Sequence, residues 1–323
     1  MTLSRATGGV GHRAFSDFPS LLRRGDLLVV NDTKVLRGRL RASRKSGGAV
    51  EIFLLSPLPG DVGRGERWEA LARPSKRLRE GDVFDIDGAI TVRLDRRRDG
   101  GRWEVRIGAG EGTVADALER VGEVPLPPYI RRKSGDPERE QDALRYQTVF
   151  ATHPGSVAAP TAGLHFDEDM LRELPAKGIG IARVTLSVGY GTFSPIRTGE
   201  VEEYEIHPEW YRLTPEAAGA VNAARARGGR VVAAGTTSVR TLETCAAEDG
   251  TVFPSEGVTR KFIVPGYRFR AVDALLTNFH LPRSSLLALV MAFAGVESVR
   301  AAYRTAVGQG YRFYSYGDAM LVA

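Results

Sequence analysis

The sequence predicts a layered α/β domain interrupted by a small antiparallel β-barrel, and three observations carry that reading. Apolar runs suited to buried strands, LLVVN (27–31), IARVTLSVG (181–189), RVVAAG (230–235) and DALLTNF (273–279), alternate with stretches of helical character. Between Lys34 and Arg106 the pattern changes to short alternating segments set off by Gly, Asp and Pro. The chain has 323 residues, 42% of them hydrophobic, more than one average domain uses. The expected architecture is a three-layer α/β/α domain of residues 1–33 and 112–323, into which a barrel domain of residues 34–111 is inserted.

Within the barrel the expected strands are RGRLRAS (37–43), GAVEIFLL (48–55), RWEALAR (67–73), DVFDIDG (82–88), AITVRLD (89–95) and RWEVRI (102–107). The α/β part supplies the helices FDEDMLRELPAKG (166–178), TPEAAGAVNAARARGG (214–229), TSVRTLETCAA (237–247) and SSLLALVMAFAG (284–295). Thr214 before Pro215 is a cap followed by proline at the first helical position, where a missing N–H costs nothing.

Charge is uneven. The net charge is +6, and residues 1–145 hold 28 Lys and Arg against 22 Asp and Glu, leaving 17 of each sign for the rest. The excess therefore lies in the N-terminal part, where arginines recur at alternating barrel positions, as a surface for a polyanion requires. Arg37, Arg96, Arg97 and Arg98 are the expected RNA contacts. Cys245 is the single cysteine, so neither an intrachain disulfide nor a four-cysteine zinc site can form. No two of His12, His153, His165, His207 and His280 stand four apart on a helix, and no metal is expected. The start MTLSRATGGVGHRAF has no basic segment leading into an apolar one, and the run Leu286–Gly295 is far short of the roughly 20 residues that span a bilayer. A cytoplasmic monomer without a membrane partner is expected.

Familiar cofactor signatures are missing: there is no phosphate-binding G-x-x-x-x-G-K-[ST], and Gly189 and Gly191 lack a third glycine three residues on. What remains are polar loops just after strands, the usual ligand edge of an open α/β sheet. VVNDTKV contributes Asn31, Asp32 and Thr33; GSVAAPTAGLHF contributes Ser156, Thr161, His165 and Phe166; VGYGTF contributes Thr192 and Phe193. AAGTTSVRTLE sets Thr236, Thr237 and Arg240 at a helix start, where free N–H groups favour an anion. TNFHLPRSS adds Asn278 and His280, and FYSYGDAM adds Asp318.

At these loops the chain strongly resembles the QueA family of S-adenosylmethionine:tRNA ribosyltransferase-isomerases. The resemblance runs from about residue 27 to 322 and is most specific in GSVAAPTAGLHF and TNFHLPRSSLL. It implies an α/β domain carrying a barrel. It also implies that S-adenosylmethionine donates its ribosyl part to 7-aminomethyl-7-deazaguanine in tRNA, giving epoxyqueuosine with loss of adenine and methionine. The chain departs from the family at Ser187, where histidine is common, at Tyr190, and at its start, which enters partway through the family's first strand.

For that reaction the sulfonium makes methionine a good leaving group and acidifies the neighbouring C5′ hydrogens, so the cosubstrate brings much of the reactivity. His165 or Asp32 is the expected base, with His280 and Asp318 as alternatives. Thr236, Thr237 and Arg240 are expected to hold the carboxylate or ribose, and Phe166 and Phe193 to face the adenine or sulfonium. Asn31, Thr33, Ser156, Thr161, Thr192 and Asn278 complete the expected substrate contacts. Two other classes remain open at this point, a non-catalytic tRNA-binding relative and a methyltransferase of unusual fold; neither would release adenine.

Overall fold

The computed structural model describes residues 1–44, 47–58, 66–127, 129–130, 136, 138–193, 196 and 204–323, with the side chains of 139–140 and 192–193 excepted. The chain folds as two compact units: Met1–Lys34, Gln147–His153 and Ala159–Ala323 form one, Val35–Tyr146 and Pro154–Ala158 the other.

The first unit is built on a nine-stranded sheet. Its centre is four parallel strands in the order Gly180–Leu186, Leu27–Asn31, Val231–Ala234 and Ala274–Asn278. These are the four apolar runs of the sequence. Leu27–Asn31, Val231–Ala234 and Ala274–Asn278 are buried along their whole length, as parallel strands covered on both faces must be. Antiparallel additions flank them: Glu209–Leu213 and Ser255–Thr259 beyond one side, Ala319–Val322 on the other. Thr2–Leu3 lies parallel to Ala319–Val322 and pairs in turn with Val10–Gly11.

Leu28, Val30, Val232, Ala234, Ala274 and Leu276 pack with Phe18, Phe166, Met170 and Leu174 in one core. The alternate residues Val29, Val231 and Ala233 are equally buried, and helices Pro215–Ala226 and Thr236–Cys245 pack on the same strands. The layered α/β architecture is thus present. Thr214 caps the first of these helices by accepting from the Ala217 amide at 3.2 Å. Helices Ser285–Ala294 and Val296–Gly308 meet at 113° across Gly295, whose φ of 87° other residues rarely adopt. Among the described residues no single helix is long and apolar enough to cross a membrane.

The second unit is a six-stranded antiparallel sheet in the order Arg39–Ser43, Ala49–Pro57, Glu66–Arg73, Arg102–Ala109, Ile90–Arg97, Val83–Ile86. The two edge strands approach one another, so it is nearly closed into a barrel. Alternate residues, among them Leu40, Ile52, Ala70, Val92, Leu94, Trp103, Val105 and Ile107, fill its core. Residues 112–146, expected with the α/β part, group with the barrel: helix Val114–Val121 drives Val114, Ala117 and Leu118 into the barrel core.

Candidate functional site

The four parallel strands end on one edge, and their ends set a row of polar groups side by side: Ser187, Asn31 with Asp32, Gly235 to Thr237, and Asn278 with His280. Because Ala319 pairs with Asn278, Asp318 closes the same row. Topology rather than sequence distance assembles these loops.

Asn31 ties the row together. Its Nδ2 donates to the Leu186 carbonyl at 3.0 Å and to Thr237 Oγ1 at 3.1 Å, and its Oδ1 accepts from the Leu186 and Thr33 amides. With these groups committed, Asn31 and the fully buried Thr33 are braces of the strand edge. Gly235, at φ 91°, turns the strand Val231–Ala234 into helix Thr236–Cys245 and leaves that helix no side-chain cap of its own. Thr237 is held by Asn31, and Thr236 is 6% exposed at the helix start.

Asp32, only 4% exposed, accepts from Thr185 Oγ1 at 2.7 Å through Oδ1, while Oδ2 lies 3.2 Å from His153 Nδ1. The His153 amide also donates to the Asp32 carbonyl. A buried carboxylate therefore orients a half-exposed imidazole. Sequence reasoning listed His153 among the histidines but gave it no role; the 121 residues separating it from Asp32 contain no signal that would join them.

His165 ends a short helix, Thr161–His165, and stacks on Phe15 at 5.0 Å between ring centroids. Its Nε2 lies 3.2 Å from Asn278 Nδ2, which also faces the Tyr314 carbonyl at 3.2 Å. That carbonyl can only accept, so the amide nitrogen must face it. Nε2 of His165 is then the acceptor and Nδ1 carries the proton. Burial is the largest influence on this imidazole and pulls its pKa below 6.5; Asp318 opposes the shift and Arg312 adds to it. Asp318 accepts from the Arg312 amide at 2.8 Å and meets its guanidinium at 3.1 Å. Burial pushes its pKa up, but these contacts outweigh that and hold it below the usual carboxylate range. His165 and Asp318 line a cleft of about 470 Å³ together with Arg13, Phe15, Tyr311 and Arg312, a size that suits a small organic ligand.

The other expected residues stand in different surroundings. Phe166 is 4% exposed and meets Phe15, Phe18 and Phe150 edge-on, so its ring is core and cannot face a ligand. Arg240 does not offer a free fork: Nη1 pairs with Glu209, which also accepts from the Gly189 amide, and Nε donates to the Lys261 carbonyl. Its Nη2 is buried without a partner among the described residues, and the residue lines a cavity of about 10 Å³, room for about one water. Ser156 belongs to the barrel unit, where its hydroxyl donates to the Ala158 carbonyl. The Thr192 and Phe193 side chains lie outside the described residues. Cys245 is buried, which pushes its thiol up to about 11 and keeps it protonated.

The expected RNA contacts are also partly neutralised. Arg37 pairs with Glu119 at 3.3 Å, Arg98 with Glu104, and the Arg97 guanidinium lies 5.7 Å over the Trp103 ring. Only Arg96 of the four has neither an ion pair nor a ring contact among the described residues.

His280 is a neutral imidazole at pH 7. Burial pushes its pKa down to about 4, and Nε2 meets Thr277 Oγ1 at 2.7 Å. A histidine with a depressed folded pKa contributes stability above its unfolded value near 6.5, and that stability is lost as pH falls through the folded value. Lowering the pH from 7 to 4 should therefore remove about 3 kcal/mol in the wild type. Urea unfolding of wild type and His280→Gln at the two pH values checks this: equal losses in both proteins would refute it.

Strand-end polar groups on a parallel core, a cleft beside them and a barrel unit define an α/β protein with a row of polar groups along the carboxyl edge of its sheet. The chain belongs to the queuosine biosynthesis protein family, whose sequence profile matches residues 1–322. It is 53% identical over 322 residues to the S-adenosylmethionine:tRNA ribosyltransferase-isomerase of Anaeromyxobacter dehalogenans strain 2CP-C, covering 100% of this chain and 91% of that one. To the enzyme of the same name from Symbiobacterium thermophilum it is 52% identical over 325 residues, covering 100% and 92%. The crystal structure of the S-adenosylmethionine tRNA ribosyltransferase of Thermotoga maritima matches with a TM-score of 0.52 and 34% identity, over 100% of this chain and 91% of that one. Among the described residues no three His, Cys, Asp or Glu side chains cluster as a metal-ligand set.

Proposed function

We propose that this chain is an S-adenosylmethionine:tRNA ribosyltransferase-isomerase, acting as a cytoplasmic monomer on tRNA that carries 7-aminomethyl-7-deazaguanine. The observation that carries the reading is identity of about half over the full chain with enzymes of that name. The strand-end geometry supports it. S-adenosylmethionine brings a sulfonium, a carboxylate, a ribose and an adenine, and so needs both donors and acceptors; Asn278 Oδ1 beside His165, buried and without a partner among the described residues, is one such acceptor.

In this reading Asp32 and His153 act together as the base. Both oxygens of Asp32 are already engaged and its side chain is buried, so it acts through the half-exposed His153 imidazole, which takes the substrate proton while the Asp32 carboxylate holds and stabilises the resulting imidazolium. His165 stays neutral at pH 7 and donates an Nδ1–H hydrogen bond to the departing adenine, stabilising the charge that develops on it. The Thr236 side chain and the first N–H groups of its helix hold the negative end of the ligand, the Gly235 amide being engaged by the Leu276 carbonyl. Asn31, Thr33 and Arg240 keep that edge in shape, and Phe15 shields His165 from water.

Adenine release tests the assignment. Adenine should appear only when S-adenosylmethionine and the modified tRNA are both present, and mass spectrometry should find the epoxyqueuosine nucleoside. We take the reaction to need no bound metal, so chelator should leave the rate unchanged; activity lost on chelation and restored by zinc or magnesium would count against that part. A protein that binds tRNA but never yields adenine would instead be the non-catalytic relative.

A further inference from the structure

We propose that the concave face of the barrel unit bearing Arg73, Lys76 and Arg77 is the phosphate-binding surface for the RNA substrate. The proposal rests on the tRNA reading above and adds where the polyanion sits. The three side chains, with Arg41, Pro74 and Ser75, line an open groove of about 820 Å³. All three cations are exposed, and none makes an ion pair with a described residue.

That sets them apart from the other barrel arginines, most of which face a carboxylate: Arg93 and Arg106 share Asp95, Arg67 and Arg98 share Glu104, and Arg102 meets Glu69. A phosphate approaching those residues must displace a carboxylate; one entering the groove meets uncompensated charge. Within the groove, Arg41 is paired with Glu123. Among the described residues Glu51 is the one carboxylate lining it, opposite Arg73 in the ladder, and its ion pair is to Arg39 at 4.0 Å.

The cations are also held on a fixed base. Ser75–Arg77 forms a single 3₁₀ turn in which the Arg77 amide donates to the Pro74 carbonyl and the Leu78 amide to the Ser75 carbonyl. Leu78, 4% exposed, anchors that turn in the barrel core. The backbone carrying the charges is therefore in place before RNA arrives, which lowers the ordering cost of binding.

The test uses the full chain and tRNA carrying 7-aminomethyl-7-deazaguanine, with tRNA binding read by fluorescence anisotropy across a salt series and S-adenosylmethionine binding by calorimetry. Arg73→Ala/Lys76→Ala/Arg77→Ala should weaken tRNA binding on the order of 10- to 100-fold at physiological salt. It should also lower the slope of log affinity against log salt by about 2 to 3, at roughly 0.7–0.9 per lost phosphate contact. Affinity for S-adenosylmethionine and thermal stability should not change. Arg73→Lys/Arg77→Lys should keep tRNA affinity within a few fold, because the charge remains. Unchanged tRNA affinity and slope in the alanine variant would overturn the proposal, as would a lysine variant as weak as the alanine one. The binding arm stands apart from catalysis: a wild type that binds tRNA without releasing adenine defeats the enzymatic reading while the groove is still judged on affinity. A wild type that binds no tRNA defeats both.

Discussion

His165→Ala is expected to slow adenine release by about 10²- to 10³-fold, the usual effect of removing one hydrogen bond to a developing charge, while tRNA affinity stays the same. The structural cost should be small. The side chain is only partly buried, and its loss removes one stacking contact and one hydrogen bond, worth about 1–2 kcal/mol together, or a fall in Tm of only a few degrees. The pH profile gives a second readout. Burial holds this imidazole below 6.5, so the neutral form persists and the acid limb of kcat/KM should fall below pH 6.5. The Asp318 carboxylate favours the protonated ring, so Asp318→Asn should lower the His165 pKa further and move that limb to still lower pH. A limb that moves upward, or a His165→Ala protein that unfolds, would show this histidine to be a structural residue.

The second large effect concerns stability. Arg240 and Glu209, at side-chain exposures of 6% and 2%, form a buried ion pair that joins helix Thr236–Cys245 to the strand Glu209–Leu213. Truncating one member leaves the other charge buried and uncompensated, at about 3–5 kcal/mol. Glu209→Ala and Arg240→Ala should each lose about that much in urea unfolding. Glu209→Leu/Arg240→Met should recover most of it, because no charge is then stranded. The same double variant decides whether Arg240 touches the ligand: retained affinity for S-adenosylmethionine assigns it to the frame, and loss of affinity in a stable protein restores it as a substrate contact.

The parallel core was legible because strands buried on both faces read as unbroken apolar runs, and LLVVN and DALLTNF could hardly be anything else. The loops that follow them could be named for the same reason: strand order alone brings Asn31, Thr237 and Asn278 to one edge. The flanking strands were not seen. Glu209–Leu213 alternates buried with exposed residues over only five positions, and Ser255–Thr259 is largely exposed, so neither has a hydrophobic signature. Missing the first of these strands hid Glu209, and so the whole fork of Arg240 looked available to a ligand when its Nε and Nη1 were already engaged. Phe166 was misread for a more local reason. It directly follows His165, but the chain leaves the 3₁₀ turn there in extended form and sends the phenyl ring into the core. In the barrel, a count of arginines could show an excess of charge but not which guanidinium groups already had carboxylates.

The pairing of Thr2–Leu3 with Ala319–Val322, and the bond from the Met1 amine to the carbonyl of Ala319, 318 residues away, bear on the order in which this chain can assemble. Beyond its hairpin partner Val10–Gly11, Thr2–Leu3 has no strand to join until one made some three hundred residues later has emerged. Every rung of the barrel ladder, by contrast, falls between Arg39 and Ala109, so its loops close at short sequence separation and that ladder can complete while later segments are still being synthesised. Val231–Ala234 and Ala274–Asn278 must likewise wait, since each joins a sheet that began at Leu27 some two hundred residues earlier. Nascent chains halted before residue 319 would thus have a finished barrel ladder but an α/β sheet that still lacks the parallel partner of Thr2–Leu3.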